Sequence, residues 1–105
     1  MRLLDEEPYA WHLLEENGTL YLNAVCSHSF VDYTFLMALN EDELKRFRAD
    51  GRDNLTRLAY DVHCSAPAVI GSTSRFKARN LTPALGDRAL QALQAASAQD
   101  EPPVR

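Results

Sequence analysis

Apolar and polar residues alternate with a period of two through much of the first forty positions, then recur at three- and four-residue spacing. The first pattern is that of strands and the second that of helices. The stretch YAWHLLEENGTLYLNAVCS predicts a β-hairpin that turns at Asn17-Gly18, because both turn positions tolerate positive φ. Glu16 then faces Thr19. That register sets Tyr9, Trp11 and Leu13 opposite Cys26, Ala24 and Leu22 on the more apolar face, which is expected to meet the core. Ala10, His12 and Leu14 lie opposite Val25, Asn23 and Tyr21 on the other face.

A second reversal is expected near Ser27-His28-Ser29. Beyond it Val31, Tyr33, Phe35, Met37 and Leu39 alternate with Asp32, Thr34, Leu36 and Ala38, completing a three-stranded antiparallel meander. Asn40 followed by Glu43 is a capping-box pair, and Glu41, Asp42 and Glu43 suit the positive end of a helix dipole. The apolar phase of Leu44, Phe47, Leu55, Leu58, Ala59 and Val62 continues through Gly51. It favours one helix over 41–64, with Gly51 inward, above a break at Asp50-Gly51. Pro67 stops the helix. Residues 65–81 lack a clear period, though Val69-Ile70 could add a short fourth strand. Thr82 before Pro83 reads as a cap, opening a last helix over 83–97 with Leu85, Ala89, Leu93 and Ala96 on one stripe. The expected architecture is α+β, a single domain over 1–98 with both helices on one face of the sheet and a disordered tail at 99–105.

At 105 residues the chain can bury roughly two-thirds of its unfolded surface, so it needs no metal or disulfide to fold. No apolar run approaches the roughly 20 residues of a membrane span. The start, MRLLDEEP, turns acidic too early for a secretory signal, which makes a cytoplasmic location with reduced thiols the expectation. The net charge of −4 is unevenly placed: residues 1–43 hold nine acids and one base, residues 44–105 ten bases and six acids. Without an apolar span no membrane partner is expected, and an acidic first half argues against nucleic acid as a partner and for a basic protein surface.

Candidate chemistry is sparse. Cys26 and His28 share a strand face, but His63 and Cys64 are helix neighbours that diverge by about 100°, so the four do not form a zinc set. Cys26, on the face of Trp11 and Leu22, is expected to be core, and no metal or cofactor is implied. A cysteine nucleophile lacks an orienting group and an oxyanion cradle, so no catalytic residue is assigned. The loop GSTSRFKARN offers hydroxyls at Ser72, Thr73 and Ser74 and cations at Arg75, Lys77 and Arg79. These could hold a phosphate or carboxylate, although the spacing is not that of a P-loop.

The plan WHLLEENGTLYLNAVCSHSFVDYTFLMALN, then NEDELKRF, a polar loop and a last helix in a small acidic domain resembles the small immunity proteins that bacteria encode beside secreted toxins. These include contact-dependent and type VI-delivered systems. The resemblance is one of architecture and charge, and carries over no site residue. It implies a non-catalytic protein that binds and blocks a toxin, commonly a basic nuclease. Exposed carboxylates among aromatic anchors suit that role, and Glu15, Glu16, Tyr21, Asp32, Glu41 and Asp42 are the expected contacts. The alternative is a small homo-oligomeric ligand-binding or regulatory protein that uses the Ser72–Arg79 loop. A homodimer through the second sheet face is compatible with either.

Overall fold

The computed structural model describes residues 1–28, 31–65 and 73–100, with positions 27, 28, 31 and 97–100 by backbone only. Strands β1 (Arg2–Glu7), β2 (Trp11–Glu16), β3 (Thr19–His28) and β4 (Val31–Ala38) form one antiparallel sheet in sequence order. Helices α1 (Glu41–Asp50) and α2 (Arg52–Ser65) follow, then a single 3-10 turn at Lys77–Arg79 and helix α3 (Thr82–Asp100). The fold is α+β, as expected, with an antiparallel meander at its centre.

The hairpin register is the expected one. Trp11 faces Ala24, Leu13 faces Leu22 and Glu16 faces Thr19. Asn17 and Gly18 take φ of 54° and 84°, the left-handed pair that a two-residue hairpin turn requires. Two features of the sheet differ from the expectation. The fourth described strand is β1, at the amino-terminal edge beside β2. MRLLDEEP reads by composition as a charged start, and its strand character is hidden by a bulge between Leu3 and Asp5 that interrupts the alternation. Val69-Ile70 lies outside the described residues. Tyr9 is the second difference: it leaves the core face and stands at the turn between β1 and β2.

The helices do not share one face of the sheet. α2 lays Leu55, Leu58, Ala59 and Val62 over Trp11, Leu13, Leu22, Ala24, Cys26, Phe35 and Met37, with Phe76 closing the cluster. α3 covers the opposite face, where Leu14, Leu36, Ala89 and Ala92 are buried and Met1, Leu3, Tyr21, Leu85 and Leu93 pack around them. The domain is therefore three layers, helix, sheet, helix. Leu14, Tyr21 and Leu36 make the second face too apolar to remain in water, and the stripe of α3 matches it.

The expected single helix is broken at Gly51. Its φ of 69° and ψ of −146° are outside the helical region, and its N–H donates to Phe47 O at 2.7 Å to close α1. The Asp50-Gly51 stop signal overrides the continuous apolar phase. A Cβ at Gly51 would meet nothing within 4 Å, so the glycine serves backbone conformation and not close approach to the sheet. Gly51→Ala should therefore cost about 1–2 kcal/mol by strain alone. Urea denaturation checks this, and an unchanged midpoint would contradict the hinge geometry.

The capping box at Asn40 is present in both directions, with Glu43 N–H donating to Asn40 Oδ1 and Asn40 N–H to Glu43 Oε1, both at 2.9 Å. Thr82 does not cap its helix. Its hydroxyl accepts from Leu36 N–H at 2.9 Å, and Leu81 N–H donates to Leu36 O at 2.8 Å. The edge of β4 is covered in this way, and Leu81 O takes over the first turn of α3. α3 runs on to Asp100, past the expected start of the tail, and residues 101–105 lie outside the described set.

Candidate functional site

The turn from β1 to β2 is Glu7-Pro8-Tyr9-Ala10, closed by Ala10 N–H donating to Glu7 O at 2.9 Å. Proline presets the second position of such a turn, and the third needs positive φ, where glycine is the easy choice. Here Tyr9 occupies it, with φ of 67°. A bulky residue in the left-handed region costs about 1–2 kcal/mol, and Tyr9 recovers none of it by packing, because it is 95% exposed. Backbone strain of this kind collects where a side chain serves a partner.

Across from Tyr9, α2 presents a stripe of Asp53, Thr56, Tyr60 and His63 at helical spacing. Tyr60 is 66% exposed. Tyr9 and Tyr60 flank a cleft of about 270 Å³ floored by Ala10, Val25, Thr56 and Ala59, with His63 at one side. Hydrogen bonding to Cys64, its charge, burial and Asp61 push the Tyr60 phenol above its ordinary value, so the hydroxyl remains a donor near neutral pH.

Acidic residues gather beside the cleft, at the β1 end that leads into Tyr9, where Asp5 and Glu7 pair with Arg52 of α2. Arg52 ties β1 to α2: its guanidinium lies 2.9 Å from Glu7 Oε2 and 3.6 Å from Asp5 Oδ2, donates to Glu6 O at 2.8 Å and sits 5.5 Å over the Trp11 ring. These pairs are half-exposed and worth little individually. Their effect is to fix the strand end that carries Tyr9.

The expected contact residues are dispersed. Glu15 pairs with Arg2 at 3.4 Å, and Glu16 bridges the amino terminus and Arg88 of α3, each at 2.9 Å. Hydrogen bonding from the amino terminus outweighs burial and, with Arg88, draws the Glu16 carboxyl below its ordinary range. Tyr21 packs under α3, and the sheet face expected to be open for an interface is thereby covered. Glu41 and Asp42 are exposed at the start of α1, at the Asn17-Gly18 end of the sheet. Asp32, opposite Ser27, is exposed at the other end, about 20 Å along β4 from Ala38.

The anion loop is dispersed too. Arg79 is committed to Glu43 and to Ala38 O. Ser74 bonds Ser65 at 2.6 Å and accepts from Phe76 N–H. Thr73 and Lys77 are exposed, and Ser72 lies outside the described residues. Arg75, 3.8 Å from Asp61, stacks on Phe76. It lines a groove with Arg46 and Arg57, but Asp50 and Asp61 line it as well, so no purely cationic cradle forms. Cys26 is fully buried in the α2-side core, as its hairpin position implies, while Cys64 is exposed on α2. His28 lies among the positions described by backbone alone. Among the described residues no group of His, Cys, Asp and Glu is arranged to hold a metal, and no helix is long and apolar enough to cross a membrane.

The pattern underweighted both cleft tyrosines. Tyr9 fits the strand alternation, and only Pro8 before it signals a turn. Tyr60 lies off the Leu55–Leu58–Ala59–Val62 stripe, which places it outward. No family model matches the chain, and no curated protein or solved structure matches it either.

Proposed function

We propose that the chain is a non-catalytic, cytoplasmic protein-binding domain that grips a basic partner at the Tyr9–Tyr60 cleft, and that the partner is a toxin it neutralises. The observation that supports this reading is Tyr9, a large side chain held in a strained backbone conformation with nothing of its own chain to pack on. Tyrosine supplies rigid amphipathic contact area, and anchors of this kind dominate interface energies when a partner desolvates them. The Asp5 and Glu7 carboxylates on the strand end beside the cleft favour cations, which raises association rate and specificity more than affinity. Toxin neutralisation rests on the resemblance of plan and charge to immunity proteins and is the more specific half of the proposal.

Tyr9→Gly separates function from folding. Glycine relieves the left-handed strain, so stability should hold or rise by up to about 1 kcal/mol. The same substitution should weaken partner binding at least tenfold, about 1.4 kcal/mol. Affinity capture from the native host with wild-type, Tyr9→Gly and Tyr60→Ala baits reads the result. A basic protein retained by the wild type and lost from both variants supports the reading. A partner retained equally by all three, or none at all, contradicts it.

A further inference from the structure

On the opposite face of the sheet, Asn23 is the one polar side chain among the buried described residues, 4% exposed. Among the described residues its amide has one hydrogen-bond partner: Nδ2 lies 3.5 Å from His12 Nδ1. Burial outweighs the Glu6 carboxylate and keeps His12 below its ordinary pKa, so the ring is neutral near pH 7. With Nε2 turned towards Glu6 Oε1 at 4.0 Å, Nδ1 is left as the acceptor for the amide. With Nδ2 turned to His12, the planar amide leaves Asn23 Oδ1 on the side away from that ring. Among the described residues no donor meets it. A buried carbonyl without a partner costs about 1–3 kcal/mol, so the fold has reason to leave it only where something else can reach it.

That side opens into a cleft of about 260 Å³ between the sheet and α3, lined by Asn23, Thr34, Gly86, Asp87, Leu90 and Leu93 among others. Among the described residues Thr34 and Asp87 have no hydrogen-bond or ion partner, and both are exposed. The nearby cation Arg88 is turned to Glu16 at 2.9 Å. Gly86 leaves the cleft wall without a side chain; a Cβ there would stand 3.2 Å from Thr82 Cγ2, one turn earlier in α3. Leu90, 53% exposed, gives the cleft an apolar lip. The polar groups are thus an amide oxygen, a hydroxyl and a carboxylate, all able to accept, beside an aliphatic wall. At the low end of ligand-site volumes, the cleft suits one short group and not a large cofactor.

We infer that this cleft binds a primary alkylammonium group, its N–H donors taken by Asn23 Oδ1, Thr34 Oγ1 and the Asp87 carboxylate and its stem lying on Leu90 and Leu93. The chemistry fits both a free short amine and a lysine side chain. The site lies between the sheet and α3 and shares no lining residue with the tyrosine cleft, so its failure and that of the proposed function are separable.

The test is a titration of the ¹⁵N-labelled chain with n-butylammonium chloride at constant chloride, followed by NMR, with n-butanol as the neutral control. A blocked Gly-Lys-Gly peptide forms a second arm. The expected result is saturable movement of the Asn23 side-chain amide signals and of the Thr34 and Leu90 backbone signals. Half-saturation should fall near 1–10 mM, reasonable for so small a ligand. Asp87→Asn, at an exposed position, should weaken binding about fivefold or more without disturbing the rest of the spectrum. Saturation by the free amine alone identifies a small-molecule site, and saturation by the peptide as well identifies a lysine pocket. Unsaturable shifts, equal shifts with butanol, or an affinity unchanged in Asp87→Asn would overturn the inference.

Discussion

Trp11→Ala should lower the unfolding free energy by about 3–5 kcal/mol, a large share of what a domain of this size possesses. Trp11 is fully buried at the middle of the α2-side core. Its indole Nε1–H donates to Thr56 Oγ1 at 3.0 Å, and its ring lies under Arg52. The side chain therefore joins three elements: β2, α2 and, through Arg52, β1. Removing it leaves a cavity that sheet and helix cannot both collapse into. Trp11→Phe retains most of the apolar contact and loses the hydrogen bond, so it should cost about 1–2 kcal/mol. Chemical denaturation of the three proteins reads this directly. Equal stability of Trp11→Ala and Trp11→Phe would mean that packing is not what this residue contributes.

Arg79→Met should cost about 2–3 kcal/mol. The Arg79 guanidinium donates from Nη1 and Nη2 to the two oxygens of Glu43, at 2.9 and 2.6 Å, and from Nη2 to Ala38 O at 2.6 Å. It fastens the start of α1, the end of β4 and the turn before α3 at one point. The pair is largely but not wholly buried, which keeps the expected cost below that of a fully enclosed ion pair. Burial raises the Glu43 pKa, but hydrogen bonds from Arg79 and Asn40 and the charges of Arg79 and Arg75 outweigh it and hold the carboxyl below its ordinary range.

A depressed folded-state pKa means stability that is present above the unfolded value and lost as pH falls through the folded value. Wild-type stability should accordingly decline as pH drops below about 4.5, the unperturbed value for this carboxyl. Arg79→Met should lose that part of the decline, along with its stability at neutral pH. Parallel acid profiles for the two proteins would show that Arg79 does not hold Glu43 ionised.

Local chemistry was legible in the sequence, and the distribution of layers was not. Asn17-Gly18 fixed the register of β2 and β3 because its positive φ values admit only one short turn. Asn40 and Glu43 announced the start of α1 by side-chain hydrogen bonds confined to one turn. Cys26 was placed in the core by alternation alone. Position in space was harder. Leu14 and Leu36 belong to a second apolar face, yet along the chain they read as the outward half of an alternation, and only α3 docking on them shows otherwise. β1 is masked by its bulge and its carboxylates, which an edge strand tolerates because it borders one neighbour.

For the candidate site, charge was the visible part. The acidic first half is real, but Glu16 is consumed in holding the amino terminus to α3, while Asp5 and Glu7 stand beside the tyrosine cleft on a strand that composition did not reveal. Tyr9 was obscured because a tyrosine in the left-handed region is rare enough that alternation is the better guess.

The most direct test of the account is amide hydrogen exchange on the captured complex, compared with the free domain. Contact at the tyrosine cleft predicts new protection concentrated in residues 7–11 and 56–63, reduced in proportion when Tyr9→Gly weakens binding. Protection confined to the Asn17-Gly18 and Glu41-Asp42 end, or to the outer side of α3, would place the partner elsewhere and contradict it.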